Sequence, residues 1–216
     1  MRNLLLKIKD PVSCLTHMAG AVFAAVGLVL MLLSAQAPIE MVAFAIFGTT
    51  MLLMYLASTL YHMIGISERT VRLLRTFDHV MIYYFIAGTF TPFTLLLIDG
   101  TARWVLFSVI WGIALLGTFF KLFWLSAPAW FSIALYLGMG WLGVLILPYA
   151  FEALPYNAAF WIVAGGVFYT IGAIIYGIKK PNPLPPWVGF HEIWHVFVMA
   201  GSFSHFWVIY RYLPLH

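Results

Sequence analysis

The chain has 216 residues, of which 64% are hydrophobic and 8% are charged, and its formal net charge is +4 at pH 7. Charged residues this scarce leave too little polar surface for a water-soluble domain, so the composition indicates an integral membrane protein. The single cysteine, Cys14, excludes an internal disulfide bond. The basic residues lie mainly in short joints between apolar runs, which fits membrane topology and does not indicate nucleic-acid binding.

Seven apolar runs are each about 20 residues long, the length that an α-helix needs to cross the hydrocarbon core of a bilayer. They predict membrane-spanning helices at approximately 14–34, 41–63, 77–98, 103–123, 130–149, 158–178 and 188–212. The joints are short and carry turn or charge signals. We therefore expect residues 1–216 to form one all-α, polytopic transmembrane domain of seven helices. The basic N-terminal segment shows no cleavage site for a signal peptidase, so we expect the first span to be retained.

The lysines and arginines predict the orientation, because loops rich in these residues stay in the cytoplasm. Of the 11 in the chain, all but Arg103 and Arg211 fall on the side of the N-terminus. We therefore expect the N-terminus to be cytoplasmic and, with an odd number of spans, the C-terminus to be outside. Short loops without a long N-terminal cytoplasmic domain are typical of a multi-pass protein of a bacterial inner (plasma) membrane.

Polar residues gather at one end of the predicted bundle. Ser58 and His62 lie four residues apart at the end of the second span, and Asp78 lies at the start of the third. His191 and His195 are also four residues apart, at the start of the seventh span. Residues at this spacing share one face of a helix. Because ionisable groups are costly in a membrane, such a set favours a function over chance.

Three imidazoles, one carboxylate and one hydroxyl at a common depth are the set that a catalytic zinc site uses, with three protein ligands and a fourth position for water. We predict His62, His191 and His195 as the zinc ligands. Asp78 would hydrogen-bond to the bound water or deprotonate it. Ser58 would orient a ligand or stabilise an oxyanion. A proton relay through the same residues is the main alternative.

The segment His191-Glu192-Ile193-Trp194-His195 also matches the H-E-x-x-H pattern of zinc peptidases, in which the glutamate is the general base. Intramembrane metalloproteases need a further aspartate ligand in a later span, and no span follows the seventh one here. We therefore disfavour a peptidase and keep Glu192 as a reserve base.

We make a separate prediction for each of three further histidines. His17 lies early in the first span on the same side and is a candidate to support the metal ligands. His205 lies roughly 15 Å beyond His195 along the helix and points elsewhere, so it should not bind the same ion. His79 directly follows Asp78 and is expected to face another way.

Glycines in the fifth and sixth spans have two interpretations. They are Gly138, Gly140, Gly143 and the pair at 165–166. They could contact a ligand, but small residues also allow close helix packing in lipid, and packing is the interpretation we favour.

Short motifs follow one another in order along the chain. They are Ala57-Ser-Thr-Leu-Tyr-His62, Phe77-Asp-His79, Ala87-Gly-Thr-Phe-Thr-Pro-Phe93, Phe119-Phe-Lys-Leu122, the segment 191–195 and Gly201-Ser-Phe-Ser-His-Phe206. Together they resemble the hemolysin III family, the bacterial branch of the progestin and adipoQ receptor (adiponectin receptor-like) family. The resemblance covers essentially the whole chain. Its most specific part is the ordered set S-x-x-x-H, D and H-x-x-x-H, which alkaline ceramidases of the wider superfamily share.

This resemblance implies roles for five residues. The histidines His62, His191 and His195 would bind zinc, Asp78 would contact the zinc-bound water and Ser58 would lie beside the site. It also implies a lipid-facing cavity with amide-hydrolase-like chemistry and a part in membrane lipid homeostasis.

We therefore expect a zinc-dependent hydrolase of a lipid amide or ester, with membrane lipids as partners. Two alternatives remain open: a non-enzymatic zinc-containing sensor or receptor, and a cytolytic pore of the kind that the family name records. The residues do not identify the substrate, because many acyl chains would satisfy an apolar cavity.

Overall fold

The computed structural model describes residues 8–214, and within that range it is a bundle of seven long apolar helices. The α-helices are α1 (Pro11–Ser34), α2 (Pro38–Met63), α3 (Glu68–Leu97), α4 (Gly100–Phe123), α5 (Ala129–Trp141), α6 (Leu147–Ala153), α7 (Tyr156–Ile178) and α8 (Phe190–Tyr212). The fifth membrane-spanning unit, Ala129–Ala153, combines α5, a short 3-10 segment and α6. The predicted all-α fold with seven spans is confirmed. The orientation of the bundle in the membrane and the single-domain organisation stay predictions.

The third span begins earlier than hydropathy predicts, at Glu68 instead of residue 77. Ser67 starts this helix, because its hydroxyl accepts a hydrogen bond from the backbone N–H of Thr70 at 3.2 Å. The first turns then carry charged side chains, including Arg69 and Arg72. These turns are too polar to be predicted as part of a membrane span, but arginine has a high helix propensity. The helix therefore extends past the apolar run.

The fifth span is broken where the sequence predicts one continuous helix. A 3-10 segment, Leu142–Ile146, separates α5 from α6, and Pro148 lies in the first turn of α6. Proline has no N–H to donate to the carbonyl four residues earlier and its ring crowds that carbonyl, so an α-helix cannot run straight through this position.

Packing of the first and last helices brings the polar end together. Spans joined by short connections run in opposite directions, and α1 packs against both α2 and α8. The start of α1, the end of α2 and the start of α8 therefore meet at one end of the bundle, which we call the histidine end. The most enclosed span is α3; its Tyr83 is fully buried, as are Phe47 and Tyr55 of the neighbouring α2.

Candidate metal centre

The three histidines that the sequence predicts as metal ligands lie together at the histidine end. His62 comes from the last turn of α2, and His191 and His195 come from the first two turns of α8. One ring nitrogen of each lies within 4.8 Å of those of the other two. The Nε2 atoms of His62 and His191 are 3.2 Å apart. Nitrogen ligands of one tetrahedral zinc ion are about 3.4 Å apart, given Zn–N distances of about 2.0–2.1 Å, so the donor set fits this metal.

Two of these histidines have a partner for the ring nitrogen that faces away from the cluster. Nδ1 of His62 lies 2.9 Å from the Asp10 carboxylate, and Nδ1 of His195 lies 3.2 Å from the Thr16 hydroxyl. Histidines that bind metals almost always have such a partner, which sets the tautomer and the ring orientation. Both contacts leave Nε2 available for an ion.

Asp10, like Thr16, is a residue of this site that sequence reasoning missed. It precedes Pro11, the first residue of α1, and its carboxylate makes no hydrogen bond to the N-terminus of that helix. Its backbone N–H instead donates to the carbonyl of His62 at 2.9 Å, and its side chain reaches the same histidine. The hydrogen bond from His62, helped by the Lys9 ammonium, holds the pKa of Asp10 below its ordinary value although partial burial opposes this. The one signal in the sequence was a carboxylate just before the first span, on the predicted side of the site.

His17 supports the cluster from α1. Its ring stacks on that of His195 with centroids 3.5 Å apart and an angle of 12° between the planes, and it meets Tyr55 edge-on at 5.1 Å. The side chain is only 3% exposed, and among residues 8–214 neither ring nitrogen has a hydrogen-bond partner. His17 is not one of the three grouped histidines, so it is a neighbour of the ligands, as the sequence suggests.

Asp78 and Ser58 lie on the wall of a cavity that His191 and His195 also line. Ser58 is 2% exposed and adjoins the Asp78 carboxylate. Asp78 also lies near enough to His62 to interact with it electrostatically, and the chemical roles of Asp78 and Ser58 stay predictions.

His79 lines the same cavity as Asp78, and the expectation that it faces another way stays a prediction. Neighbouring residues on an α-helix point about 100° apart, and a wide cavity can border both directions. Within the described chain, Nδ1 of His79 has no hydrogen-bond partner.

Glu192 is held in a structural role at the start of α8. One carboxylate oxygen accepts the Ser13 hydroxyl at 2.5 Å, and the other accepts the backbone N–H of Gly189 at 2.9 Å. The first bond ties α8 to α1, and the second satisfies an N–H at the helix terminus. These bonds occupy both oxygens, so the geometry gives no support to Glu192 as a general base.

The cavity has a volume of about 350 Å³ and extends from the histidines towards His205. Its wall is mostly apolar, with the ionisable groups concentrated at the histidine end. Nε2 of His205 lies 3.1 Å from the carbonyl oxygen of Ile162, away from the clustered histidines, as expected.

Several glycines border this cavity. Gly140, Gly143 and Gly166 line it, and a Cβ atom added at Gly140 or Gly166 would meet nothing within 4 Å. The expectation that they serve helix packing is therefore wrong for these two residues, and Gly138 also has open space in front of it. The packing interpretation is correct for Gly165, where a Cβ atom would overlap the His205 ring.

Comparison with known proteins places nearly the whole chain in one family. The profile of the family described as Haemolysin-III related matches residues 6–206. Hemolysin-3 of Bacillus cereus is 34% identical over 210 residues, covering 95% of this chain and 93% of that protein. The human monocyte to macrophage differentiation factor is 24% identical over 205 residues (93% and 83% of the two chains), and an ADIPOR-like receptor of Saccharomyces cerevisiae is 35% identical over 51 residues (21% and 16%). The chain therefore belongs to the Haemolysin-III related family and is a multi-pass membrane protein.

Proposed function

We propose that this protein is a zinc-dependent hydrolase that cleaves an amide or ester bond of a membrane lipid and acts in membrane lipid homeostasis. The observation that carries the proposal is the group of His62, His191 and His195, whose donor nitrogens lie within 4.8 Å of one another beside an apolar cavity. We further propose that the site faces the cytoplasm and that the membrane is a bacterial plasma membrane.

In this proposal the three histidines hold the metal. Zinc supplies, when bound, a Lewis acid that lowers the pKa of its water to about 7. Asp78, on the cavity wall, accepts the proton that the attacking water loses and gives it to the leaving nitrogen or oxygen as the amide or ester bond breaks. Ser58, which adjoins Asp78, donates a hydrogen bond to the oxyanion that develops on the substrate carbonyl. Asp10 and Thr16 keep the His62 and His195 rings oriented.

The cavity supports a lipid substrate. Its volume, about 350 Å³, is in the range of small-molecule sites, and its apolar wall suits a hydrocarbon chain. The open space in front of Gly140 and Gly166 gives such a chain room beside the helices. An acyl chain in this cavity would place the polar bond of the lipid at the histidine end, where the ionisable residues are.

The first test is the metal content of detergent-purified protein, measured by elemental mass spectrometry. We expect about one zinc ion per chain in the wild type and none in the double variant His191→Ala/His195→Ala, since three protein ligands are the usual minimum for such a site. His205→Ala is the matched control, because it removes a histidine from the other half of the same helix, and it should keep the metal. A wild-type protein without zinc after supplementation would overturn the proposal.

The second test is hydrolysis of long-chain N-acyl lipids and esters by the zinc-loaded protein, followed by mass spectrometry of the released fatty acid. The wild type should release fatty acid, and the double variant should not. Zinc binding without turnover on any of these lipids would favour the sensor or receptor alternative.

A further inference from the structure

Lys121 is a buried cation that the proposed hydrolysis does not use. It lies in the last turn of α4 with only 1% of its surface exposed, and its ammonium donates a hydrogen bond to the Ser132 hydroxyl of α5 at 2.6 Å. No carboxylate among residues 8–214 lies within ion-pair distance of it. A buried charge held by a neutral hydroxyl alone is costly, and buried charges are normally paired.

A second cation lies on the same cavity wall. Arg75, from α3, lines the cavity together with Lys121 and Ser132, and in the described part of the chain it too has no carboxylate within 4.0 Å. The two side chains come from different helices, and both lie near enough to His79 to interact with it electrostatically. Arg75 is exposed and needs no counter-ion of its own, whereas Lys121 is buried, so an anion held between the two side chains would above all stabilise Lys121.

Other features of the wall do not neutralise Lys121, although Asp78 interacts electrostatically with Arg75. Asp78 is the one carboxylate among the described lining residues, and the wall remains net positive even when Asp78 is ionised. The position of Lys121 near the C-terminus of α4 favours a cation through the helix dipole, but this effect is strongest at the exposed end and does not require burial. The burial, the missing counter-ion and the second cation point instead to a negatively charged ligand.

We propose that Lys121, Ser132 and Arg75 form a subsite for the anionic headgroup, carboxylate or phosphate, of a single-chain amphiphile whose hydrocarbon chain lies in the apolar cavity. Arginine and lysine both bind these groups through charge-assisted hydrogen bonds, and the Ser132 hydroxyl adds another donor. The inference takes from the proposed function only that the cavity holds a lipid chain, and it does not depend on a metal.

The test is binding of defined probes to detergent-purified protein, measured by native mass spectrometry. The probes are laurate, dodecyl phosphate, dodecanol and inorganic phosphate. We expect laurate or dodecyl phosphate to bind about ten-fold or more tightly than dodecanol, because charge-assisted hydrogen bonds are roughly twice as strong as neutral ones. Inorganic phosphate should bind at least about ten-fold more weakly than dodecyl phosphate, since it has no chain to bury. If inorganic phosphate and dodecyl phosphate bind equally tightly, the assignment to an amphiphile is overturned.

Single substitutions locate the subsite. Lys121→Gln and Arg75→Gln should each weaken binding of the anionic probes about ten-fold and leave dodecanol binding unchanged, because each removes one charged donor. The matched controls are the variants Lys180→Gln and Arg72→Gln, which change exposed residues outside the subsite. Both variants should bind all four probes as tightly as the wild type does. If Lys121→Gln does not fold, Lys121→Arg takes its place and should retain the preference for anionic probes over dodecanol. Arg75→Gln then tests whether that preference depends on the subsite. An unchanged preference in Arg75→Gln and Lys121→Gln would overturn the inference.

The double variant His191→Ala/His195→Ala separates this inference from the proposed function. Zinc can itself bind carboxylates and phosphates, so the preference for anionic probes must survive when the metal ligands are removed. Loss of the preference in this variant would assign the anion to the metal and overturn the subsite, with the hydrolase proposal intact. If the wild type takes up no zinc even after supplementation and still prefers the anionic probes, the subsite is supported and the hydrolase proposal is overturned.

Discussion

Asp10 holds His62 with both its side chain and its backbone, across 52 residues of sequence. The carboxylate lies 2.9 Å from Nδ1 of the ring, and the backbone N–H donates to the histidine carbonyl oxygen, also at 2.9 Å. One residue therefore links the start of α1 to the end of α2 and orients a proposed metal ligand. The metal centre therefore depends on this contact between α1 and α2 as well as on the three histidines.

We expect Asp10→Ala to lower zinc affinity by roughly 10- to 100-fold, the usual effect of removing the partner of a metal-binding histidine. The affinity is measured by competition with a chelator of known affinity. Asp99→Ala is the control, because Asp99 pairs with Arg103 on the far side of the bundle and should leave zinc binding unchanged. Equal zinc affinity in the wild type and Asp10→Ala would show that the contact has no part in metal binding.

Asp78→Asn should retain zinc and lose turnover. The amide has almost the shape of the carboxylate but cannot accept a proton, and general bases contribute about 10²- to 10⁴-fold to rates. Zinc content and fatty acid release are measured on the same preparation, with Asp99→Asn as the control. Loss of zinc together with turnover would instead make Asp78 a ligand, and full turnover would remove it from the mechanism.

Glu192→Gln should lower the stability of the fold and leave turnover nearly unchanged. Its carboxylate accepts hydrogen bonds from Ser13 and from the N–H of Gly189, and hydrogen bonds to a charged group are worth about 1.5–3 kcal/mol. The free energy of unfolding should fall by about 1–3 kcal/mol in a denaturant titration, while turnover changes by less than about ten-fold. The control is Glu152→Gln, an exposed glutamate of α6. A large loss of turnover without loss of stability would restore Glu192 as a general base.

Gly88→Ala should destabilise the contact between α2 and α3. A Cβ atom at Gly88 would overlap the Thr50 side chain, whereas one at Gly112 of α4 would meet nothing within 4 Å. Overpacking of this kind costs about 1–3 kcal/mol, so the unfolding midpoint should fall for Gly88→Ala and not for Gly112→Ala. The double variant Gly88→Ala/Thr50→Ala should recover part of the loss. A similar midpoint for both single variants would contradict the close approach of the two helices.

The fold was the part most accessible from sequence. Seven apolar runs of membrane-spanning length predict seven helices without any knowledge of their partners, because lipid requires each span to satisfy its own backbone hydrogen bonds. Hydropathy misplaced two features. It placed the start of α3 after the charged turns that begin at Glu68, and it did not register the break before Pro148 in the fifth span.

The candidate site was predicted in part. The four-residue spacing of His191 and His195 places both rings on one face of a helix, and the alternating direction of the spans places His62 at the same depth. Which side chains contact these histidines was out of reach, since it depends on how each helix is rotated about its axis. The contacts of Asp10 with His62 and of Thr16 with His195 were missed for this reason.

The sequence by itself therefore determined the elements and the depth of the polar groups, because both follow from local hydrophobicity and helix periodicity. Only the tertiary structure decided that Asp10 holds His62, that Glu192 bonds to Ser13 and that Lys121 shares a cavity wall with Arg75. These contacts join helices that are distant in the chain, and they are set by how side chains of particular size and direction interlock when α1, α2 and α8, or α3, α4 and α5, pack together.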